Sequence, residues 1–264
     1  MIDQKINIFI QWLQGYPSEV ASLLMFLVCV LAILGACWYG YGALCAYNAL
    51  AIVIANIQVL RLGSYLSTPE PIALGTVLFA TTYLVSDIIT EHYGATAARR
   101  TILISFMAQL VVSLWMLLCL AHQGIHSNTT ANAGIIEQQG QIFKSMWLVF
   151  IPSVRFFVAS LVSYVATQLI DISLYQWIRQ KSNDRYLWLR QNVSMFVSGF
   201  LDNLIFSVLA WIVLSPNPLT FNTVIVSYVL AGCIVRIIVN IMGTPVLYWS
   251  YRFVKVRRAQ LQVN

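Results

Sequence analysis

Charge is scarce in this sequence. Of its 264 residues only 9% are Asp, Glu, Lys or Arg, against about a quarter in a soluble globular domain. So few charges cannot cover a water-facing surface on a chain of 29.7 kDa. Soluble enzymes, disordered tails and nucleic-acid readers are excluded on that ground. Catalytic signatures are missing too. There is no Walker A loop, so the chain hydrolyses no nucleotide by itself. No G-x-S turn presents a serine nucleophile, and His92, His122 and His126 fall at span ends or in loops. The chain therefore reads as a non-enzyme. His122 and His126 stand four apart with no Cys or acid beside them, which makes no metal site. Cys29, Cys37, Cys45, Cys119 and Cys233 lie in or beside apolar runs without a C-x-x-C. They read as small core residues, not as disulfides or ligands. No cofactor is expected.

Long hydrophobic runs are what the sequence has. Hydrophobic residues make up 59% and the mean hydropathy is +0.77. A helix crossing the hydrocarbon core needs about 20 mostly apolar residues. Seven segments qualify: Val20–Tyr39, Ala43–Leu60, Pro71–Thr90, Thr101–Ala121, Met146–Tyr175, Asn192–Leu214 and Phe221–Tyr251. The last is expected to bend or unwind near Gly243–Pro245. Residues 1–19 read as a short tail, and the first apolar run is longer than a signal-peptide core. The polar stretch Gln123–Gln141 reads as a loop, and its Asn128-Thr129-Thr130 is a weak glycosylation match.

The basic residues orient these spans. Arg99, Arg100, Arg179, Lys181, Arg185, Arg190, Arg252, Lys255, Arg257 and Arg258 fall on one side of a seven-span chain. Only Lys5, Arg61 and Lys144 fall on the other. The positive-inside rule puts the N-terminus outside and the C-terminus in the cytoplasm.

Polar groups within spans are costly and mark function or helix contacts. Asp202 and Arg236 lie at matching depths on the antiparallel sixth and seventh spans, which predicts an ion pair. It either joins two helices or lines a solvated cavity and meets a ligand. Asn240 shares the Arg236 face, four residues on. Arg155 either snorkels outward or reaches inward to an acceptor. Asn56, Gln58, Gln109, Gln168 and Asp171 are read either as helix contacts or as ligand contacts. Asp87 and Glu91 stand four apart before Gly94, a natural helix stop, and Thr96, a natural N-cap. With Arg99 and Arg100 they suggest a hairpin of two helices locked by charge. Ala51 and Ala55 form an A-x-x-x-A pair, read as internal packing or as a docking face for a partner.

Several of these motifs together resemble a known family. Asn56-Ile57-Gln58-Val59, Gly75-Thr76 and Asp87-Ile88-Ile89-Thr90-Glu91-His92-Tyr93-Gly94 with Ala98-Arg99-Arg100 are followed in order by further matches. These are Gln168-Leu169-Ile170-Asp171, Trp188-Leu189-Arg190 with Ser194, Asp202 with Leu204-Ile205-Phe206, the base at Arg236, and Pro245. Over residues 43–252 the chain is similar to the queuosine precursor transporter family, also called the vitamin uptake transporter family. That resemblance implies an all-α polytopic fold: a six-helix transporter core at 43–252 like the substrate-binding subunits of energy-coupling-factor transporters. Residues 1–42 then add a tail and one extra transmembrane helix, and 253–264 form a basic cytoplasmic tail. It implies import of a deazaguanine base across the bacterial inner membrane, without coupling ATPases. The alternative is a substrate-binding subunit that docks a coupling partner through Ala51 and Ala55. The expected partners are the small-molecule substrate and the lipid bilayer, with homo-oligomerisation left open. A guanine-like edge offers adjacent donors that one carboxylate accepts together, a task suited to Asp202. Asn56, Gln109, Gln168, Asn240 and Arg155 are candidates for the remaining polar contacts, and Phe206 for stacking.

Overall fold

The computed structural model describes residues 2–65, 72–122, 133–151 and 153–263. Among these described residues ten α-helices follow one another: α1 Ile2–Gln14, α2 Ser18–Tyr39, α3 Tyr41–Gln58, α4 Thr76–Tyr93, α5 Ala95–Ala121, α6 Ala133–Phe150, α7 Ser153–Lys181, α8 Leu187–Val208, α9 Phe221–Thr223 and α10 Ala231–Val263. Two short strands between α3 and α4, β1 Leu62–Gly63 and β2 Ile72–Ala73, pair antiparallel with Leu62 opposite Ala73. Two stretches are π-helical, Leu209–Val213 after α8 and Val224–Leu230 before α10. The protein is a polytopic helical membrane protein. Among the described residues six helical stretches are long and apolar enough to cross a membrane, within α2, α3, α5, α7, α8 and the segment ending in α10.

The missing seventh is α4, and its chemistry explains why. It is 18 residues long but carries Thr81, Thr82, Tyr83, Ser86, Asp87, Thr90 and Glu91. Nearly all of it is buried, with Val77 through Thr90 unbroken. Helices α2, α3, α5, α7, α8 and α10 all pack against it. Lipid-facing helices here are apolar outside, while α4 is shielded from lipid by protein.

Two glycines let helices turn with no loop between them. Gly40, at φ 97°, ends α2 and starts α3, and Gly94, at φ 87°, ends α4 and starts α5. That left-handed region costs glycine little and other residues more. The stop at Gly94 is as expected, but α5 begins at Ala95, so Thr96 lies inside the first turn and is not the cap.

Other boundaries differ from the sequence reading. The N-terminal tail is a helix whose Ile6, Ile8, Phe9, Ile10 and Trp12 are exposed. Part of the polar loop is helical, because α6 starts at Ala133. The fifth span does not begin at Met146: α6 ends at Phe150 and α7 starts at Ser153, on either side of Pro152. Asn128 and His126 lie outside the described residues. The seventh span does not unwind at Gly243–Pro245, since α10 stays helical through Pro245. Its departure from α geometry comes earlier, at Val224–Leu230.

Ala51 and Ala55 are buried inside the chain, so neither offers a docking face. Ala55 instead sits against the start of α4. A Cβ built on Gly75 would lie 2.5 Å from the Ala55 carbonyl oxygen. Backbone cannot yield there as a flexible side chain would. Gly75→Ala is therefore expected to lower the melting temperature of the detergent-solubilised protein by several degrees, read by thermal denaturation, whereas Gly35→Ala, which meets nothing within 4 Å, should leave it within about a degree.

Candidate functional site

A cavity of about 310 Å³ opens at the end of the helices that carries the β1–β2 hairpin. One wall is aliphatic, from Val59, Leu60, Leu62 and Ile72. Phe206, Trp211 and Tyr228 contribute aromatic surface from α8 and the two π-helical stretches. The polar lining comes from Thr76, Ser160, Asp202, Asn203, Ser207 and Arg236. The volume sits at the lower end of small-molecule sites, and the makeup of mostly apolar walls with a few convergent polar groups is typical of them.

Asp202 and Arg236 form the expected ion pair, with Arg236 Nη2 donating to Asp202 Oδ2. The other carboxylate oxygen is held from α7: Ser163 Oγ donates to Asp202 Oδ1 at 2.5 Å and Thr167 Oγ1 at 3.4 Å. The guanidinium carbon of Arg236 stands 5.8 Å from the centre of the Tyr83 ring. Nε and Nη1 of Arg236 and Oγ of Ser160 are buried with no hydrogen-bond partner among the described residues. Unpaired buried donors are costly, and here they border a cavity.

From this pair a column of polar side chains runs along α4, α7 and α8 toward the opposite end of the bundle. Tyr83 and Thr167 hydroxyls are 2.7 Å apart. One turn further, Asp87 and Asp171 lie within hydrogen-bonding reach of each other, and Ser198 Oγ donates to Asp171 Oδ1 at 2.7 Å. A carboxylate only accepts hydrogen bonds, so contact between two carboxyls is a hydrogen bond only while one carries a proton. Both oxygens of Asp87 and Oδ2 of Asp171 have no donor among the described residues. Another turn on, Glu91 is enclosed by donors: Arg190 Nη2 at 2.6 Å, the Tyr175 hydroxyl at 2.8 Å and the Tyr251 hydroxyl. Arg179 Nη1 stands 3.8 Å away.

The expected charge hairpin is thus wired differently. Glu91 pairs with Arg190 and Arg179 across α7 and α8, and Asp87 meets Asp171. Arg99 and Arg100 are exposed on α5 and pair with no carboxylate among the described residues. The reason is geometric: α5 leaves Gly94 with these two bases on its outer face, while both acids on α4 face the bundle interior. Arg190, read from sequence as a loop charge, is one of the largest fully buried side chains.

Of the other candidate residues, Phe206 lines the cavity with Asp202 and Arg236. Asn240 does not. Its Nδ2 donates to the Asn192 carbonyl at 3.4 Å, and it borders a small crevice behind Arg236. Asn56 donates to the Ile52 carbonyl of its own helix, and Gln168 Nε2 to Thr82 Oγ1 at 3.2 Å. Gln109 is buried on α5. None of these three lines the cavity. The side chain of Arg155 lies outside the described residues. Ser160, Asn203, Ser207, Trp211 and Tyr228 are cavity residues that the charge-based reading passed over.

Residues 73–250 match the family described as "Putative vitamin uptake transporter". The chain is 25% identical over 217 residues to a Bacillus subtilis (strain 168) protein named "Probable queuosine precursor transporter", covering 82% of this chain and 86% of that one. No solved structure matches the chain.

Removing one partner of a buried ion pair costs about 3–5 kcal/mol, because the other charge is left uncompensated. Glu91→Ala is accordingly expected to lower the melting temperature sharply or abolish accumulation. Arg99→Ala with Arg100→Ala should melt close to the unmodified protein. Thermal denaturation of the three proteins in one detergent measures the contrast.

Proposed function

The chain belongs to the vitamin uptake transporter family, and from that premise we propose that it imports a queuosine precursor, a deazaguanine base, into the cytoplasm. The observation that carries the substrate is the likeness to the "Probable queuosine precursor transporter", which extends over most of both chains. The cavity supports it. A deazaguanine is flat and rimmed with hydrogen-bonding groups, and this cavity is lined by aliphatic and aromatic side chains together with the charged pair Asp202 and Arg236. Each carboxylate oxygen has two lone pairs. Ser163 and Thr167 occupy Oδ1 and Arg236 one side of Oδ2. Asp202 therefore keeps one acceptor position on Oδ2, and its role is to accept a donor of the guanine-like edge, the second donor being met as the 3.4 Å Thr167 contact gives way. Arg236 holds that carboxylate in orientation. Phe206, one helical turn away on α8, stacks on the base. A purine lacking one of these donors or acceptors leaves a buried group unpaired, which sets selectivity.

In this reading α4 crosses the membrane inside a sheath of the other six helices, giving seven spans. Residues 43–252 are the transporter core, 1–42 an added segment and 253–264 a basic tail. The β1–β2 hairpin end faces outside and the Glu91 end faces the cytoplasm of a bacterial inner-membrane protein. A membrane-impermeant thiol reagent should spare Ser182→Cys in intact cells and label it after permeabilisation.

The decisive experiment is rescue of queuosine in tRNA, by this gene alone, in a strain unable to make the precursor. Asp202→Asn replaces an acceptor with a donor and removes a charge-assisted contact worth about 1.5–3 kcal/mol. Rescue-linked uptake should fall about tenfold or more at unchanged protein level. Arg236→Lys should be milder than Arg236→Ala, since charge survives while the planar fork is lost. If Asp202→Asn combined with Arg236→Gln restores wild-type uptake, the pair only joins two helices and the binding role is wrong.

A further inference from the structure

Two stretches of the chain leave the α-helical hydrogen-bond pattern, and they face each other. Leu209–Val213 extends α8, and Val224–Leu230 leads into α10. A π turn shifts side chains out of α register and recurs at functional sites. Each of these turns delivers one aromatic ring to the same cavity, Trp211 from the first and Tyr228 from the second. The rings contact one another, with centroids 4.8 Å apart and planes tilted by 32°. The Trp211 carbonyl accepts a hydrogen bond from the Leu219 N–H at 3.1 Å, so the connection between the two helices is tied back to this turn.

Position along the helices separates this pair from the ion pair. Nine residues divide Asp202 from Trp211, and eight divide Tyr228 from Arg236. At 1.5 Å per α-helical residue these are about 13–14 Å and about 12 Å along the backbone, before the reach of the Arg236 side chain back to Asp202 is counted. Trp211 lies five residues beyond Phe206, and Tyr228 packs against Trp211. Phe206, four residues from Asp202, is the ring beside a base seated there. The Trp211–Tyr228 wall is a second contact zone of the same cavity, toward its β-hairpin end.

We propose that Trp211 and Tyr228 form an outer aromatic station, which stacks on the face of a flat heteroaromatic substrate before its polar edge reaches Asp202 and Arg236. The proposal rests on the reading of the substrate as a flat base. Stacking on a ring face is tolerant of base identity, because every base has such a face. The station therefore selects flatness, and hydrogen-bond discrimination is left to the inner polar floor.

Uptake of a radiolabelled deazaguanine into proteoliposomes, together with intrinsic tryptophan fluorescence, tests it. Trp211→Ala is expected to raise the KM about tenfold, the order of a lost base–aromatic stack, with a maximal rate within about twofold. Trp211→Phe should keep the KM within about threefold. A stacked base quenches an indole, so deazaguanine should quench the wild-type protein, and most of that quench should vanish in Trp211→Phe. This second variant decides the matter even where Trp211→Ala fails to fold. A wild-type KM in a folded Trp211→Ala, or an undiminished quench in Trp211→Phe, would overturn the proposal. If the wild-type protein takes up no deazaguanine, the substrate reading fails. The station then stands if adenine, used as a plain flat base, quenches wild type but not Trp211→Phe, and falls if adenine quenches neither.

Discussion

The burial of α4 is the constraint on which the rest of this structure depends. A helix bearing Tyr83, Asp87 and Glu91 cannot face hydrocarbon, where polar groups lack any partner. It must be enclosed, and the enclosing helices must supply hydrogen bonds at the right heights. Helices α7 and α8 place their polar groups in strict register with it. Tyr83 meets Thr167, Asp87 meets Asp171 and Glu91 meets Tyr175, each pair 84 positions apart in the chain. Such a register holds only if α4 and α7 run parallel. Helix α8 runs the other way, so Asp202, Ser198 and Arg190 address the same levels in reverse order. Sliding any of the three helices by one turn would strand several buried groups at once, each costing about 1–3 kcal/mol.

The column also explains where the cavity lies. At the Glu91 level the column is closed by side chains from α7, α8 and α10. Toward the other end the α pattern of α8 and α10 gives way to π turns, and the aliphatic wall comes from the hairpin region, not from a further helix. Space opens where the interlocking stops. A transporter that releases its cargo at the Glu91 end has to part α4, α7 and α8, and the groups that resist this are Glu91, Arg190, Tyr175 and Tyr251.

Much of the fold was legible because membrane helices announce themselves by length and hydropathy. All seven predicted segments overlap helices, and the ion pair of Asp202 with Arg236 followed from matching depths on antiparallel spans. The partners of Glu91 were not legible from proximity in sequence. Arg99 and Arg100 are near in the chain but on the wrong face of α5, whereas Arg190 comes from a helix 99 positions away. A subtler signal was present. Polar residues recur every fourth position on α4 at 83, 87 and 91, on α7 at 163, 167, 171 and 175, and on α8 at 190, 194, 198 and 202. Most members are hydroxyls, which cost little in a span and so do not stand out there as charges and amides do. The π turns left no such trace, because Trp211 and Tyr228 look like ordinary apolar residues of a span.

Two ion pairs cap the column, and their surroundings divide their roles. At the Glu91 end the carboxylate takes donors from two tyrosines as well as the arginine, and each nitrogen of Arg190 finds an acceptor, in Glu91, the Tyr175 hydroxyl and the Asp184 carbonyl. An interaction satisfied on all sides specifies packing and has little left for a ligand. Arg236 and Asp202 are joined as closely, yet Arg236 keeps two nitrogens without acceptors and the neighbouring Ser160 hydroxyl is unpaired. Evolution could have closed these groups with one more serine or asparagine, as it did around Glu91. Unpaired donors that persist beside an open cavity are most economically explained by acceptors that arrive with a ligand. That asymmetry, rather than the mere presence of buried charge, separates the open end of the column from the closed one.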